Sequence, residues 1–281
     1  MTPTIKNQKI DDTYIQYLLY GDQNSQPLIM LHATGFLPWL WHPLARELAN
    51  KYYVLSPYFC DHRHTDPEFG GLNWLQLAED LHGFCMEMKI HTPFLVGHSM
   101  GATVATLAMT KCGLVAKKCV LIEPIFLPDH IYESRISVDK HPLASKSIKR
   151  KNYWDNQEEA IAYLKSKPLF QNWDEEMLQL YIEHGLIPKK EGGLQLVCHP
   201  KKEASLFMGG IQINPWPTLP DIQCDTLVIE GETSENRPYI DLQKAAALIP
   251  NGHYQLIKNA GHLIPMEKPK QCLQLIHDFF E

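Results

Sequence analysis

The sequence has few cysteines and no pattern that groups them. Seven cysteines are scattered along 281 residues, an odd number with no C-x-x-C pair. This spacing argues against a disulfide framework and against a zinc site, because both need cysteines that pair or cluster. We expect most of them to be reduced residues packed in the core. They are Cys60, Cys85, Cys112, Cys119, Cys198, Cys224 and Cys272.

Long apolar runs and an excess of basic residues are also missing. The longest apolar runs are shorter than a membrane span, and residues 1–6 lack the basic and then apolar segment of a secretion signal. We therefore expect a cytoplasmic protein without a membrane span. The formal net charge of -6 has mixed signs and offers no basic stripe for nucleic acid. A small neutral molecule is the expected ligand.

What the chain does have is the apolar content of a folded core and an alternation of strands and helices. Hydrophobic residues make up 44% of the sequence, enough for one domain or for one domain with an inserted subdomain. The alternation predicts an α/β fold with a mostly parallel sheet, helices on both faces, and ligands at the carboxyl ends of the strands. The predicted strands are 14–20, 28–31, 52–56, 94–96 and 118–122, and the predicted helices are 44–49, 75–88 and 103–110.

The pattern changes in the middle of the chain. Residues 127–216 contain helical, aromatic and charged segments separated by proline and glycine. We therefore predict a core of residues 1–126 and 217–281 with a helical lid inserted at 127–216. In the second part of the core, strands are predicted at 225–229 and 253–257, and a closing helix at 269–280.

Residues 97–101, Gly-His-Ser-Met-Gly, form a G-x-S-x-G pentapeptide directly after an apolar run. The run 93–96 has the length of a buried strand, and the small and apolar residues at 102–109 are typical of a helix. A serine nucleophile elbow requires this order of strand, turn and helix, with glycines on both sides because a Cβ there collides with its neighbours. Ser99 is therefore the candidate nucleophile.

One of the 14 histidines is well placed to activate Ser99. A serine hydroxyl is a weak nucleophile, so it needs a base, usually a histidine whose tautomer is fixed by a carboxylate. His262 follows the last predicted strand and precedes the closing helix, where a loop can turn it toward Ser99. His98 is next to the serine, but we expect it to point away and to be structural.

Three motifs make the chain similar to the α/β-hydrolase family. They are Leu-His-Ala-Thr-Gly-Phe at 31–36, the pentapeptide at 97–101, and Gly-His-Leu-Ile-Pro-Met-Glu at 261–267, in the family's order and at its spacing over nearly the whole chain. The resemblance implies that Ser99 is the nucleophile and His262 the general base. It also implies an oxyanion hole formed by the backbone N–H groups of Thr34 and Met100.

The acid of the triad has more than one candidate. Family members commonly carry it three residues past a glycine that ends the strand after the lid, but that position is Ser234. Glu235 lies one residue further on, whereas Glu232 is too close to the strand. A second arrangement in the family places the acid after the preceding strand, where this chain has Glu123 behind four apolar residues. Because a buried carboxylate needs a partner, which His262 would supply, we favour Glu123 over Glu235.

The loop at 58–65 departs from the family, many members of which have a glycine-rich turn there. Asp61, His62 and His64 suggest a metal site, but the sequence has no second cluster of ligands to complete it. We therefore predict a solvated charged loop, and neither a metal nor a cofactor.

Aromatic residues follow the oxyanion loop and are frequent in the predicted lid. Trp39 and Trp41 are the first candidates for a pocket that takes an apolar or aromatic group, whereas packing explains the other rings equally well. Arg135, Lys149 and Arg150 are candidates for binding a substrate carboxylate, although charges on a lid are usually solvated.

Together these features predict a serine hydrolase that cleaves a small carboxylic ester, thioester or lactone through an acyl-enzyme. A hydrolase of carbon-carbon bonds in a diketone-type substrate is one alternative within the fold. A non-catalytic receptor for a small molecule is another alternative, because the position where many family members have the acid holds Ser234. Serine at the elbow argues against haloalkane dehalogenases and epoxide hydrolases, which use a carboxylate nucleophile. The oligomeric state is left open.

Overall fold

The computed structural model describes residues 1–59 and 62–281. Cys60 and Asp61 lie outside the described residues. The packing role predicted for Cys60 and the metal-ligand role considered for Asp61 therefore concern positions that the structure does not describe.

The centre of the fold is an eight-stranded sheet. Its order is β1-β2-β4-β3-β5-β6-β9-β10, and a separate hairpin is formed by β7 and β8. Strands from β4 onward in this order run parallel to their neighbours, whereas β2 is antiparallel to β1 and to β4. The predicted α/β fold with a mostly parallel sheet is confirmed. In chain order the strands are β1 (Thr4–Ile10), β2 (Thr13–Tyr20), β3 (Gln26–Leu31), β4 (Tyr52–Pro57), β5 (Phe94–His98), β6 (Lys118–Ile122), β7 (Leu186–Pro188), β8 (Leu194–Leu196), β9 (Asp225–Gly231) and β10 (Gly252–Ile257).

Helices connect these strands, and several begin with a side-chain cap. Asn73, Asn156 and Asp174 each accept a hydrogen bond from a backbone N–H of the first helical turn. No helix in the described part of the chain combines the length and the apolarity needed to cross a membrane. The helices are α1 (His42–Leu48), α2 (Trp74–Glu87), α3 (Met100–Lys111), α4 (Asp129–Tyr132), α5 (Ala144–Ile148), α6 (Gln157–Lys165), α7 (Glu175–His184), α8 (Pro200–Gly209), α9 (Leu242–Leu248), α10 (Ile264–Glu267) and α11 (Pro269–Phe280).

Helix α3 packs closely on the middle of the sheet. Every residue of β5 is buried, and so is α3 from Met100 through Ala108. A Cβ at Gly101 would collide with the backbone carbonyl of Leu31 in β3. The glycine therefore allows the first turn of α3 to lie directly against the neighbouring strand.

A long segment separates two strands that are neighbours in the sheet. Strands β6 and β9 pair in parallel, with Ile122 opposite Ile229. The chain between them forms α4 to α8 and the β7-β8 hairpin. The segment predicted as a helical lid therefore also contains two short strands. It contacts the rest of the molecule, for example where the Asp174 N–H donates to the carbonyl oxygen of Met266 at 2.8 Å.

The register of the parallel strands gathers four chain segments at one edge of the sheet. Leu31 at the end of β3 pairs with Gly97 in β5, and His98 pairs with Ile122 at the end of β6. The carboxyl ends of β3, β5, β6 and β9 therefore meet, as the rule for ligand sites in open parallel sheets anticipates. The residues that follow these four strands, together with His262 after β10, build the candidate site.

Candidate active site

Ser99 occupies a strained turn between β5 and α3. Its backbone has φ 56° and ψ -117°, in the region that non-glycine residues rarely adopt. A Cβ at Gly97 would collide with the backbone of Ala102, so the flanking glycine lets strand and helix approach. The Ser99 N–H donates to the carbonyl oxygen of Ile122 at 2.9 Å. The turn presents a buried hydroxyl above the carboxyl edge of the sheet.

His262 lies within hydrogen-bond distance of that hydroxyl. Its Nε2 is 3.0 Å from Oγ of Ser99. The His98 ring, which we expected to be structural, donates from Nε2 to the backbone carbonyl of His262 at 2.9 Å. Burial lowers the pKa of His98 to about 3, so its ring is neutral at ordinary pH. His98 therefore holds the His262 loop without adding a charge beside it.

Glu123 provides the carboxylate next to His262. It follows β6 with φ 48° and is 1% exposed, and its Oε2 lies 3.0 Å from Nδ1 of His262. Two more donors satisfy the carboxylate, the Gly231 N–H to Oε1 and the Ser234 hydroxyl to Oε2, each at 2.7 Å. The buried carboxylate thus has three hydrogen-bonding partners, which offset the cost of its burial.

The other acid candidates lie elsewhere. Glu235 is exposed. Ser234, at the position where many family members have the acid, instead donates to Glu123. Asn236 is a neighbour of His262 that the sequence did not single out, with its Nδ2 3.0 Å from the histidine Nδ1. The sequence signal for Asn236 is only that it is a polar residue two positions after Ser234.

The loop predicted to form the oxyanion hole, residues 32–36, follows β3. Thr34 is buried here, and Met100 is the first residue of α3, directly after the serine. His32 fixes the loop from both ring nitrogens: Nδ1 donates to the Ala33 carbonyl at 2.8 Å, and Nε2 accepts from the Phe59 N–H at 2.9 Å. Burial lowers the pKa of His32 to about 4, in keeping with a neutral ring whose Nε2 keeps its lone pair.

A charged cluster from the segment between β6 and β9 covers this loop. Gly35 has φ 73°, and a Cβ there would collide with the Glu203 carboxylate. Arg150 donates to both Glu203 oxygens, at 3.1 and 3.2 Å, and to the Tyr181 hydroxyl at 3.0 Å. The expectation of a solvated charge is wrong for Arg150, because its guanidinium is held between these two partners.

The two candidate pocket tryptophans have different surroundings. Trp41 is 2% exposed and packs in the hydrophobic core. Trp39 is partly buried and stacks on His184 of α7, with ring centroids 3.6 Å apart and 7° between the planes. Phe36, in the predicted oxyanion loop, contacts the rings of Trp173 and Tyr181.

Two side chains of the loop at 58–65, His62 and Arg63, contact an acid of α2. Asp80 of α2 accepts from Nε and Nη2 of Arg63 at 2.6 and 2.7 Å and lies 2.9 Å from Nε2 of His62. The prediction of a solvated loop is therefore wrong for these two side chains. Among the residues that the structure describes, no three histidine, cysteine, aspartate or glutamate side chains group as a metal site.

Comparison with known families agrees with this fold. Residues 28–275 match the family model described as the alpha/beta hydrolase family. The match spans well over half of the chain, and the protein belongs to the alpha/beta hydrolase family.

Individual relatives are distant. The 2-(acetamidomethylene)succinate hydrolase of Mesorhizobium japonicum is 22% identical over 261 residues, which cover 92% of this chain and 90% of the relative. The crystal structure of E-2-(acetamidomethylene)succinate hydrolase has a TM-score of 0.83 at 18% identity and covers 99% of both chains. A thioesterase domain from the curacin biosynthetic pathway has a TM-score of 0.79 at 18% identity, over 99% of this chain and 100% of that one. At these identities the structural likeness supports the fold alone.

Proposed function

We propose that this protein is a serine hydrolase that cleaves a small carboxylic ester, thioester or lactone through an acyl-enzyme intermediate. One observation carries the proposal, an unbroken line of contacts through His262. The Ser99 hydroxyl is 3.0 Å from its Nε2, and Glu123 is 3.0 Å from its Nδ1. In this arrangement a histidine accepts the serine proton while a carboxylate fixes its tautomer.

The proposed reaction has two steps. His262 removes the proton of Ser99 as Oγ attacks the carbonyl carbon, and the backbone N–H groups of Thr34 and Met100 stabilise the negative oxygen that forms. His262 then gives its proton to the leaving oxygen or sulfur, while Glu123 stays ionised and stabilises the imidazolium. In the second step His262 activates a water molecule, which cleaves the acyl-enzyme, releases the acid and regenerates the Ser99 hydroxyl.

The proposed substrate carries an apolar or aromatic group. Residues 127–216 would act as a lid on the core of residues 1–126 and 217–281. Rings from both parts support this pocket, since Trp39 stacks on His184 of the lid and Phe36 contacts Trp173. Trp41, which is packed in the core, would support the pocket-facing residues and not contact the substrate itself.

The names of two structural neighbours are compatible with this reaction class and leave the acyl group open. One structural neighbour is named a thioesterase domain and another a succinate-derivative hydrolase. Both names describe hydrolytic cleavage, which fits an acyl-enzyme route. The contacts of Ser99 and Glu123 with His262 favour turnover over the receptor alternative, because a binding protein has no need of a histidine bonded on both sides.

A chain-length series of chromogenic esters and thioesters tests the proposal, with Ser99→Ala as the control. We expect hydrolysis by the wild type, with a burst of the leaving group when deacylation is slower than acylation. Ser99→Ala is expected to lose the burst and the turnover. Thermal stabilisation of the wild type by these compounds without any turnover would favour a receptor instead. Cleavage of a diketone with no ester hydrolysis would favour the carbon-carbon alternative.

A further inference from the structure

Among the residues that the structure describes, Asn236 joins the acid Glu123 as a polar neighbour of Nδ1 of His262. Glu123 Oε2 and the side-chain amide of Asn236 both lie 3.0 Å from this nitrogen. The ring nitrogen carries at most one proton, so the chemistry of the two neighbours decides how that proton is held.

The carboxylate sets the direction of the hydrogen bonds. Glu123 already accepts from Gly231 and Ser234 and, as a carboxylate, has no proton to give. Nδ1 must therefore carry the hydrogen and donate it. An N–H of Asn236 pointing at the same Nδ1–H would be repelled, whereas a half-turn of the amide exchanges its nitrogen and oxygen without moving any other group. With the oxygen toward the ring, Asn236 becomes a second acceptor.

The turn after β9 holds Asn236 in this place. Its backbone N–H donates to Oγ of Ser234 at 3.3 Å, and the same hydroxyl donates to Glu123 at 2.7 Å. The backbone of this turn is also fixed by the Ser234 N–H, which donates to the Gly231 carbonyl at 3.1 Å. In many family members the turn after β9 carries the acid itself. In this chain the same turn contacts Glu123, an acid that follows β6.

We propose that Asn236 is a positioning residue for His262, with its side-chain oxygen sharing the Nδ1 proton with Glu123. The inference rests on the proposed function and extends it. The Asn236 oxygen holds the His262 ring from a second side, so the imidazole keeps both its tautomer and its angle toward Ser99. It also identifies position 236 as a second place from which a carboxylate reaches the histidine, because aspartate has the same shape as asparagine.

The first test is the turnover of Asn236→Ala on an ester that the wild type cleaves. The hydrogen bond strengthens when the imidazolium forms, so its loss should lower kcat by about tenfold. KM should stay at the wild-type value, because Asn236 acts through His262 and not on bound substrate. Glu235→Gln, its exposed neighbour in the same turn, is the matched control and should keep the wild-type kcat.

The second test moves the acid. Glu123→Gln should lose most activity, and adding Asn236→Asp in that background should restore kcat by at least about tenfold, since the new carboxylate can accept the Nδ1 proton. Adding Thr233→Asp instead places the same charge at an exposed position nearby and should restore nothing. A structural effect of the substitutions would not produce rescue at position 236 alone.

The outcomes separate this inference from the proposed function. A folded wild type that hydrolyses no ester, thioester or lactone overturns both. An active wild type with wild-type kcat in Asn236→Ala, or equal activity in the two aspartate double variants, overturns the role of Asn236 alone. If Asn236→Ala fails to fold, the rescue experiment still decides, because its readout is a gain of activity.

Discussion

At the scale of single residues, the choice of acid shows what the sequence left open. Both Glu123 and Glu235 were candidates, because the expected position holds Ser234. The pairing of β6 with β9 decides their placement: the Glu123 N–H donates to the Ile229 carbonyl at 2.8 Å, which brings the carboxyl group next to the turn after β9. Strand register across a hundred intervening residues is a tertiary property, so no local pattern encodes it.

Substituting Glu123 by glutamine should lower kcat by about 10⁴-fold, because the histidine loses the charge that fixes its tautomer and stabilises the imidazolium. Steady-state kinetics on a cleaved ester measure this, with Glu235→Gln as the matched control at the exposed position. Collapse of activity in Glu235→Gln together with normal turnover in Glu123→Gln would reverse the assignment.

At the scale of elements, the alternating and apolar strands were predictable and the polar ones were not. Each predicted strand is present, with ends shifted by at most two residues. The sequence does not predict strand β1, because most of its side chains are exposed and Thr4–Ile10 has no apolar periodicity. The β7-β8 hairpin was missed because its strands have only three residues each. The sequence does not indicate Asn236, because its contact with His262 depends on the conformation of the turn after β9.

Two helical glycines should respond in opposite ways to alanine. Gly101→Ala should strongly destabilise the protein, because its Cβ would meet the Leu31 carbonyl, a backbone atom that cannot move aside. Gly83→Ala in α2 faces open space and should stabilise by about 1 kcal/mol through helix propensity. Urea unfolding of both variants measures this. Equal effects of the two substitutions would contradict the tight packing of α3 on β3.

The buried His32 between β3 and the loop after β4 should make the fold sensitive to acid. Its pKa is lowered by burial from 6.5 to about 4, so between these pH values the unfolded chain binds a proton that the folded chain does not. The free energy of unfolding therefore decreases as the pH falls through this window, by up to roughly 3 kcal/mol for this group.

His32→Gln tests this effect through the pH dependence of Tm. The variant lacks the titrating ring, so its Tm should fall less steeply than that of the wild type between pH 6.5 and about 4. His253→Gln, an exposed histidine on β10, should keep the wild-type slope. The same slope in all three proteins would mean that His32 is not held neutral by the fold.

At the scale of the whole molecule, the sheet edge and the segment between β6 and β9 act on the same few residues. The sheet brings Ser99, Glu123 and His262 together, and in the intervening segment Glu203, which is paired with Arg150, lies close to Gly35 in the predicted oxyanion loop. The sequence predicted the order of these parts along the chain. The contact between Glu203 and Gly35 joins two distant segments and could be found only in the folded structure.

We propose that the folded molecule activates Ser99. Intact mass after exposure to a fluorophosphonate tests this activation, because the reagent needs an activated serine and no knowledge of the substrate. We predict one adduct on the wild type, none on Ser99→Ala, and much slower labelling of His262→Ala. A folded wild type without an adduct, or an adduct that persists in Ser99→Ala, would contradict the assignment of Ser99 as the nucleophile.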